Sequence, residues 1–331
     1  MRVILVAPSL SDPAHRRVLR ALKRELTRAG DEVRVFPPKD GLPPAKLRRG
    51  LERLLKSSNA QVCHIQYFSR GLGYLEHLRW PKGVKLILTH QGASFELMER
   101  PALFRRLARR ADGLSAVSRS GLRELRAVLP SARGKSRCIP NGADPPLRRR
   151  AAAPRRPFIL SVGRLAAYKG TDVLLLAFAG LARLRPGLDL VICGPDQSRG
   201  RLARFARRLG LKGRLRLPGD VGAPQVARLL QACSFFVLPS RQENMPMALL
   251  EAMAAGKAVA ACAVGGVGEL VTHGVDGLLV APQDVSALGR AMRRLAGDAG
   301  LRRRLGRQAA RRARLFDWKT AAAGYRRLYA A

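Results

Sequence analysis

The sequence predicts an α/β protein built from two doubly wound parallel sheets, and three observations lead there. Short apolar runs alternate with amphipathic helical stretches over residues 1–144 and again beyond residue 157, the pattern of successive βαβ units. The chain has 331 residues, enough for two domains that each bury a core. Between them lies PPLRRRAAAPRRP, rich in proline and arginine and without an apolar period, which reads as a linker and hinge over residues 145–156.

In the first domain, residues 1–144, strands are expected at Val3 to Ala7, Val33 to Phe36, Val62 to Ile65, Lys85 to Thr89, Gly113 to Val117 and Ser136 to Ile139. Helices fill the intervals, beginning with Pro13 to Ala29 ahead of Gly30. Ligands of such sheets bind beyond the carboxyl ends of the strands. That draws attention to Pro8-Ser9-Leu10, His64-Ile65-Gln66 and His90-Gln91-Gly92. His90 closes the run LILTH, where a ring would point into the crevice; a histidine merely hydrogen-bonded at a strand end is the competing account. His64 reads equally as the interior of a plain buried strand, and His15, His77 and His273 carry no motif.

The second domain, residues 157–316, opens with a buried strand at Phe158 to Val162. Gly163 allows a tight exit, and Thr171 is placed to cap the next helix. Arg164 and Lys169 thus extend from one loop at the carboxyl edge of a strand. Two fixed cations there suit a diphosphate, since a hydrogen bond to a charged group is worth about 1.5–3 kcal/mol. Leu188 to Cys193 leaves through Gly194-Pro195-Asp196, Arg214 to Leu217 leaves through Pro218-Gly219-Asp220, and Ala223 to Gln231 reads as a helix.

Ser234 to Leu238 then empties into a polar loop, Pro239 to Asn244. A helix is expected from Pro246, with proline in its first position and Gly256 ending it in the left-handed conformation. Glu243 falls in the loop and Glu251 inside the helix, at its second turn. Beyond Glu124 the only other glutamate is Glu269, in a chain with arginine in nearly every segment, so a random solvated face explains the two acids poorly. The helix start between them offers free N–H groups and a positive dipole end, a natural anion site. Gly265-Gly266 follows the strand Ala258 to Ala263 and opens another helical segment, Val267 to Val271, so two helix starts are expected at one crevice. Helices at Asp284 to Leu295 and Leu301 to Arg314 precede the closing stretch FDWKTAAAGYRRLYAA, in which Trp318 and Tyr325 are expected to anchor by packing.

Glu-x7-Glu within ENMPMALLEAMAAGKAVAACAVGGVGELV, with GVDGLLV downstream, resembles the donor-site signature of retaining GT-B glycosyltransferases, the large group 1 or family 4-like family. GRLAAYKG resembles that family's phosphate-binding motif, and IPNGAD the stretch by which its members leave the first domain. The resemblance implies two Rossmann-like domains facing a central cleft. Residues 1–144, completed by a helix over 317–331 that crosses back, would serve the acceptor, and residues 157–316 the nucleotide-sugar. It further implies transfer of a hexosyl or N-acetylhexosaminyl group from a UDP-, GDP- or ADP-linked donor to an acceptor hydroxyl, with retention at the anomeric carbon. The acceptor would be a saccharide or a lipid-linked glycan of the cell envelope.

By the same resemblance Glu243 sits by the donor sugar and His90 touches it, Arg164 and Lys169 hold the diphosphate, and Glu251 accepts hydrogen bonds from the ribose hydroxyls. Backbone groups of the stretch Asn244, Met245, Pro246 and Met247 complete the sugar pocket, and Gly163, Gly194, Gly219 and Gly266 shape the donor site. Such members are thought to react on one face, the leaving phosphate taking the acceptor's proton, so no conventional general base is named. Domain closure about the hinge would exclude water. No Asp-x-Asp occurs and the acids do not cluster, so neither a metal nor a cofactor is expected. One departure is plain: the first loop, PSLSDPAH, lacks the glycine pair that many members carry there.

Two other functions share these features. A nucleotide-sugar 2-epimerase has the same architecture but needs acids around the sugar, which the first domain scarcely supplies. A non-catalytic anion- or membrane-binding module could also use the scaffold, although intact Arg164, Lys169, Glu243 and Glu251 argue against decay. Neither a P-loop nor a Gly-x-Gly-x-x-Gly turn is present, which counts against P-loop hydrolases and dinucleotide oxidoreductases.

Charge is the unusual quantity: 62 Lys and Arg against 23 Asp and Glu give a formal +39. Arginine-rich genome composition on solvated faces is one account; attraction to an anionic membrane is the other. In PPAKLRRGLERLLKSS, Leu47, Leu51, Leu54 and Leu55 share a face beside Lys46, Arg48, Arg49, Arg53 and Lys56; in RPALFRRLARRA, Leu103, Phe104, Leu107 and Ala111 alternate with arginines. Such helices suit an anionic interface, or pack on a sheet. Aromatic content of 5% without basic interleaving makes nucleic acid a poor partner. The five cysteines form no C-x-x-C pair and read as small buried hydrophobes in a reducing cytoplasm. The apolar start MRVILVAPSL is too short for a signal peptide and no segment has the ~20 apolar residues of a span. The expected place is therefore the cytoplasm, with peripheral attachment to the inner face of the membrane.

Overall fold

The computed structural model describes residues 1–8, 12–37, 41–66, 70–92, 101–144 and 154–331. The residues expected to form the hinge, and the middle of the first loop, lie largely outside that set. The chain forms two compact units, Met1–Gly142 with Phe316–Ala331, and Ala143–Leu315. Each is built on one six-stranded sheet whose neighbours all run parallel.

In the first unit β1 (Arg2–Val6), β2 (Glu32–Phe36), β3 (Val62–Gln66), β4 (Lys85–His90), β5 (Gly113–Ala116) and β6 (Ser136–Cys138) lie in the order β2-β1-β3-β4-β5-β6. In the second, β7 (Phe158–Val162), β8 (Asp189–Cys193), β9 (Leu215–Gly219), β10 (Phe235–Leu238), β11 (Val259–Cys262) and β12 (Leu278–Val280) lie in the order β12-β11-β10-β7-β8-β9. Relative to its own first strand the second sheet reads 3-2-1-4-5-6, the dinucleotide-fold order, whereas the first reads 2-1-3-4-5-6. The central strands are buried along their whole length because helices cover both faces, which is why they are continuous apolar runs.

Helices on the first sheet settle one question the sequence left open. Leu51 and Leu55 of the helix Pro44–Ser57, and Leu103, Phe104, Leu107 and Ala108 of the helix Pro101–Arg110, are buried in that unit's core. Leu47 and Leu54 pack against the same cluster. The apolar faces of both basic helices therefore pack into the core of the first unit, the alternative to a lipid surface that the sequence left open.

The closing helix, Trp318–Ala330, belongs to the first unit, and Trp318 and Tyr325 are both buried there. Its start abuts the exit of β6 so closely that a Cβ on Gly142 would lie 2.2 Å from the Trp318 backbone nitrogen. Its end is held by Lys85, whose Nζ donates to the carbonyls of Tyr329 at 3.0 Å and Ala330 at 3.3 Å, a cation at a negative helix terminus. Tyr329, which the sequence reading did not single out, reaches His64: its hydroxyl lies 2.7 Å from Nδ1 of the imidazole.

His64 is fully buried and makes no site of its own. Its Nε2 meets Thr89 Oγ1 at 2.7 Å and the Gln66 amide nitrogen at 3.0 Å. Gln91 donates to Gln66 Oε1 at 2.7 Å and pairs reciprocally with Asn141 at 3.1 and 2.7 Å. The Gln66 amide is a donor, so Nε2 accepts and Nδ1 carries the proton to Tyr329.

Burial drives the His64 imidazole from its ordinary 6.5 down to about 3. Between these values the unfolded chain binds a proton that the folded chain refuses, so stability is lost as pH falls through that window, at about 1.4 kcal/mol per pH unit. Unfolding of the first unit is therefore expected to shift downward between about pH 6.5 and pH 4.5. His64→Phe, less stable at neutral pH, should show a flatter dependence. Differential scanning calorimetry over that range checks this, and equal slopes in both proteins would contradict it.

Candidate functional site

The strand order of the second unit reverses between β7 and β10, the switch point at whose carboxyl ends doubly wound sheets bind their ligands. After β7 the chain passes Gly163 and Arg164, forms a 3-10 turn at Ala167–Lys169, and reverses at Gly170, whose φ is +63°. The helix Thr171–Leu184 follows with Gly170, not Thr171, as its N-cap; Thr171 is its buried first residue and caps nothing. The left-handed glycine delivers the chain into the helix directly and leaves no extended residue where a threonine cap would sit.

After β10 the chain turns through Pro239 and Ser240 to Glu243. Lys169 Nζ and Glu243 Oε1 are 2.6 Å apart, joining the two loops across the switch point, and Ser240 Oγ donates to the same carboxylate oxygen at 2.7 Å. The pair is largely sheltered, with side-chain exposures of 21% for Lys169 and 7% for Glu243. Arg164 lies in the same loop as Lys169 and donates from Nη1 to the Tyr168 hydroxyl at 3.2 Å. Two cations and one acid thus stand where the ligand of a doubly wound sheet is bound.

The helix after Glu243 is Met247–Ala254, with Pro246 as N-cap one position earlier than expected, and Gly256 follows it at φ +70°. Asn244 and Met245 are buried, and Glu251 is half-buried in the helix. The next exit loop comes against this one: a Cβ on Gly265, at φ +50°, would lie 1.7 Å from the Glu243 carbonyl oxygen. Gly266, the member of the pair picked from sequence, has an ordinary φ of −81° and caps the short helix Val267–Leu270. The contact belongs to Gly265.

The remaining glycines of the set also meet. Gly163 N–H donates to the Cys193 carbonyl at 2.9 Å, and Gly194 N–H donates to the Gly219 carbonyl at 2.8 Å. A Cβ on Gly194, at φ +142°, would lie 2.0 Å from the Gly163 carbonyl oxygen. The exits of β7, β8 and β9 are therefore drawn together backbone to backbone, which only glycine permits. Among the described residues no group of three or more His, Cys, Asp or Glu is placed to hold a metal ion.

His90 belongs to the first unit as the last residue of β4. Its ring is buried and Nε2 stands 3.8 Å from Oε2 of Glu124 on the helix Arg119–Val128. The sequence reading missed Arg241 and Asp172. Arg241 grips Asp172 with both terminal nitrogens, at 2.8 and 2.7 Å, and this holds the Asp172 carboxyl below its ordinary range. The only signal was their place beside the Gly-Arg and Glu-x7-Glu strings, and an arginine is inconspicuous in this chain.

Two doubly wound parallel sheets with such a switch-point site define the GT-B class. Residues 146–312 match the family described as Glycosyl transferases group 1, and residues 1–146 match Glycosyltransferase Family 4. The chain belongs to the glycosyl transferases group 1 family. It is 39% identical over 182 residues to D-inositol 3-phosphate glycosyltransferase of Streptomyces avermitilis, a match covering 52% of this chain and 39% of that protein. It is 32% identical over 231 residues to glycogen synthase of Mycobacterium tuberculosis, covering 68% of this chain and 55% of the other. The chain thus spans between two fifths and about half of the length of these curated relatives. In fold it is similar to sucrose-phosphate synthase of Thermosynechococcus elongatus, with a TM-score of 0.84, 23% identity and coverage of 100% and 98% of the two chains. It is likewise similar to Anabaena Alr3699/HepE in complex with UDP-glucose, with a TM-score of 0.82, 20% identity and 98% coverage of each chain.

The 1.7 Å approach at Gly265 makes a sharp prediction. Gly265→Ala should destabilise the second unit by about 2–4 kcal/mol, through strain at positive φ and displacement of the Glu243 loop. Gly268→Ala, with nothing within 4 Å of its Cβ, should cost within about 0.5 kcal/mol. Denaturant unfolding distinguishes them; similar losses would refute the contact.

Proposed function

We propose that this protein transfers a hexosyl or N-acetylhexosaminyl group from a nucleotide-sugar to an acceptor hydroxyl, with retention of anomeric configuration. The observation that carries the reading is the Lys169–Glu243 pair, with Arg164 beside Lys169, at the switch point of the second sheet. In this reading the bond from the anomeric carbon to the diphosphate breaks, and the bond to the acceptor oxygen forms on the same face. The acceptor's proton passes to the departing phosphate oxygen. Negative charge growing on the diphosphate is met by Arg164, Lys169 and the start of the helix Met247–Ala254, positive potential fixed in advance of the reaction.

Glu251 is assigned to the ribose hydroxyls and Glu243 to the donor sugar, with Asn244 to Met247 completing that pocket. His90 is assigned to the sugar on family resemblance. No metal enters the proposed step, because the sequence has no Asp-x-Asp and the reading assigns the diphosphate to Arg164 and Lys169. UDP, GDP and ADP conjugates are the donors to test. The UDP-glucose complex of the Anabaena protein favours trying UDP first. The proposed acceptor is a saccharide or a lipid-linked glycan of the cell envelope, met at the inner face of the membrane.

Arg164→Ala and Glu251→Ala should each lower turnover by about 10²–10³-fold while thermal unfolding shows an intact fold. UDP, GDP or ADP at a hundred times its dissociation constant should stabilise the native chain by about 2.7 kcal/mol. Unchanged turnover in either variant would remove that residue from the site, and no shift with any nucleotide would remove the donor reading.

Membrane attachment is proposed to be electrostatic. The formal +39 is available for it, while the apolar faces of the two basic helices are not. The chain should co-sediment with vesicles containing anionic lipid, ignore neutral ones, and be released near 1 M salt, where the Debye length is about 3 Å. Binding that survives such salt, or none at low salt, would overturn this.

A further inference from the structure

Arg241 sits two residues before Glu243, just outside the Glu-x7-Glu string, yet faces the other loop of the site. Its backbone N–H donates to the Tyr168 carbonyl at 2.8 Å. Its Nη1 donates to the Ala167 carbonyl at 2.6 Å and to Asp172 Oδ1 at 2.8 Å, and its Nη2 donates to Asp172 Oδ2 at 2.7 Å. Its Nε lies 3.4 Å from Gln283 Oε1. The planar guanidinium therefore spans the 3-10 turn carrying Lys169, touching Ala167 at its start and Asp172 just past its end. Lysine could not do this, having one point charge and no fork.

The backbones interlock at the same place. A Cβ on Gly170 would lie 2.1 Å from the Pro239 carbonyl oxygen, and Arg241 Nη1 is 3.7 Å from the same point. Glycine lets the two loops touch, and arginine keeps them in register. Lys169 lies between Tyr168 and Gly170, and its ammonium ends on Glu243.

We infer that Arg241 and Asp172 form a positioning clamp that fixes Lys169 and Glu243 relative to each other across the switch point. The clamp touches neither sugar nor phosphate in the proposed reaction; it acts through the residues that do. Its consequence for a nucleoside diphosphate rests on the donor-site reading above, whereas the geometry of the clamp does not.

The test reads Lys169 directly. Brief acylation followed by mass spectrometry gives the relative reactivity of each lysine. Lys257 in the same unit, whose Nζ is bonded to the carbonyls of Gln231 and Cys233, is the internal reference. Arg241→Ala should raise Lys169 labelling at least about fivefold with Lys257 unchanged, and Arg241→Lys should fall between Arg241→Ala and the parent chain. Asp172→Asn supplies a second route should Arg241→Ala fold poorly, and should raise Lys169 labelling as well.

In parallel, UDP, GDP and ADP are titrated into each protein. Whichever binds the parent chain should bind Arg241→Ala at least about tenfold more weakly, the equivalent of 1.4 kcal/mol. That loss should largely vanish when Lys169→Ala is already present, since residues acting through one another are not additive. Lys169 labelling that does not change, or that rises together with Lys257, overturns the clamp. A parent chain that binds none of the three nucleotides, with Lys169 still unlocked by Arg241→Ala, leaves the clamp standing and overturns the donor reading instead.

Discussion

Three carbonyl oxygens, those of Gly163, Pro239 and Glu243, hold the second unit's site in shape. Each abuts a glycine, and a Cβ in its place would come within 2.0, 2.1 and 1.7 Å respectively. Main chain packed this closely on main chain has no room for a residue that bears a side chain, and all three glycines, Gly170, Gly194 and Gly265, have the positive φ that residues with side chains rarely adopt. Parallel strands leave a sheet in a row, and their exit loops would otherwise diverge. Here the loops are drawn into one ledge, on which Arg164, Lys169 and Glu243 are held by backbone that cannot move independently. The ion pair at 2.6 Å is then a product of the backbone geometry, sheltered enough to be worth more than a surface pair.

Scarcity makes the acids informative. In a chain of formal charge +39, the described aspartates and glutamates repeatedly serve fixed local ends. Asp284, Asp298 and Asp317 each cap a helix by accepting from a backbone N–H. Asp196 closes the turn after β8 by accepting from Ser198 and Gly200, which holds its carboxyl below the ordinary range. Asp276 accepts from Thr272 inside the second unit, and burial raises its carboxyl. Asp172 and Glu243 serve another end: each ties one site loop to the other.

Eleven of the twelve strands were legible as short apolar runs, with boundaries shifted by only a residue or two, while the three-residue edge strand β12 was too short to be read as a strand. Arg164, Lys169, Glu243 and Glu251 were singled out for a different reason, their place in short strings, and the structure brings Lys169 and Glu243 of two such strings together. What could not be read was contact between strings. Gly265 and Gly266 are equivalent on paper, and only the position of the Glu243 carbonyl decides between them. Thr171 had the composition of a cap, but Gly170 before it already made the turn. Arg241 was hidden by its own abundance as a residue type. The basic helices carried an ambiguity that periodicity cannot resolve, since a face that fits a lipid surface also fits a sheet.

The first unit answers a separate constraint, the burial of polar side chains at its strand ends. His64, Gln66, Gln91 and Asn141 lie on β3, at the end of β4 and beyond β6, where apolar residues would pack at least as well. A buried amide or imidazole is costly unless each polar atom is matched, so this row needs a terminus that accepts the Nδ1 proton of His64. Tyr329 provides it, and Tyr329 arrives only with the closing helix. The Gly142 contact with Trp318 fixes where that helix begins, and Lys85 fixes where it ends, which sets the tyrosine hydroxyl at hydrogen-bonding distance from the ring. The return of residues 316–331 to the first unit is thereby tied to the polarity of β3: replace the histidine with an apolar residue and the Tyr329 hydroxyl is stranded, remove the helix and the histidine is.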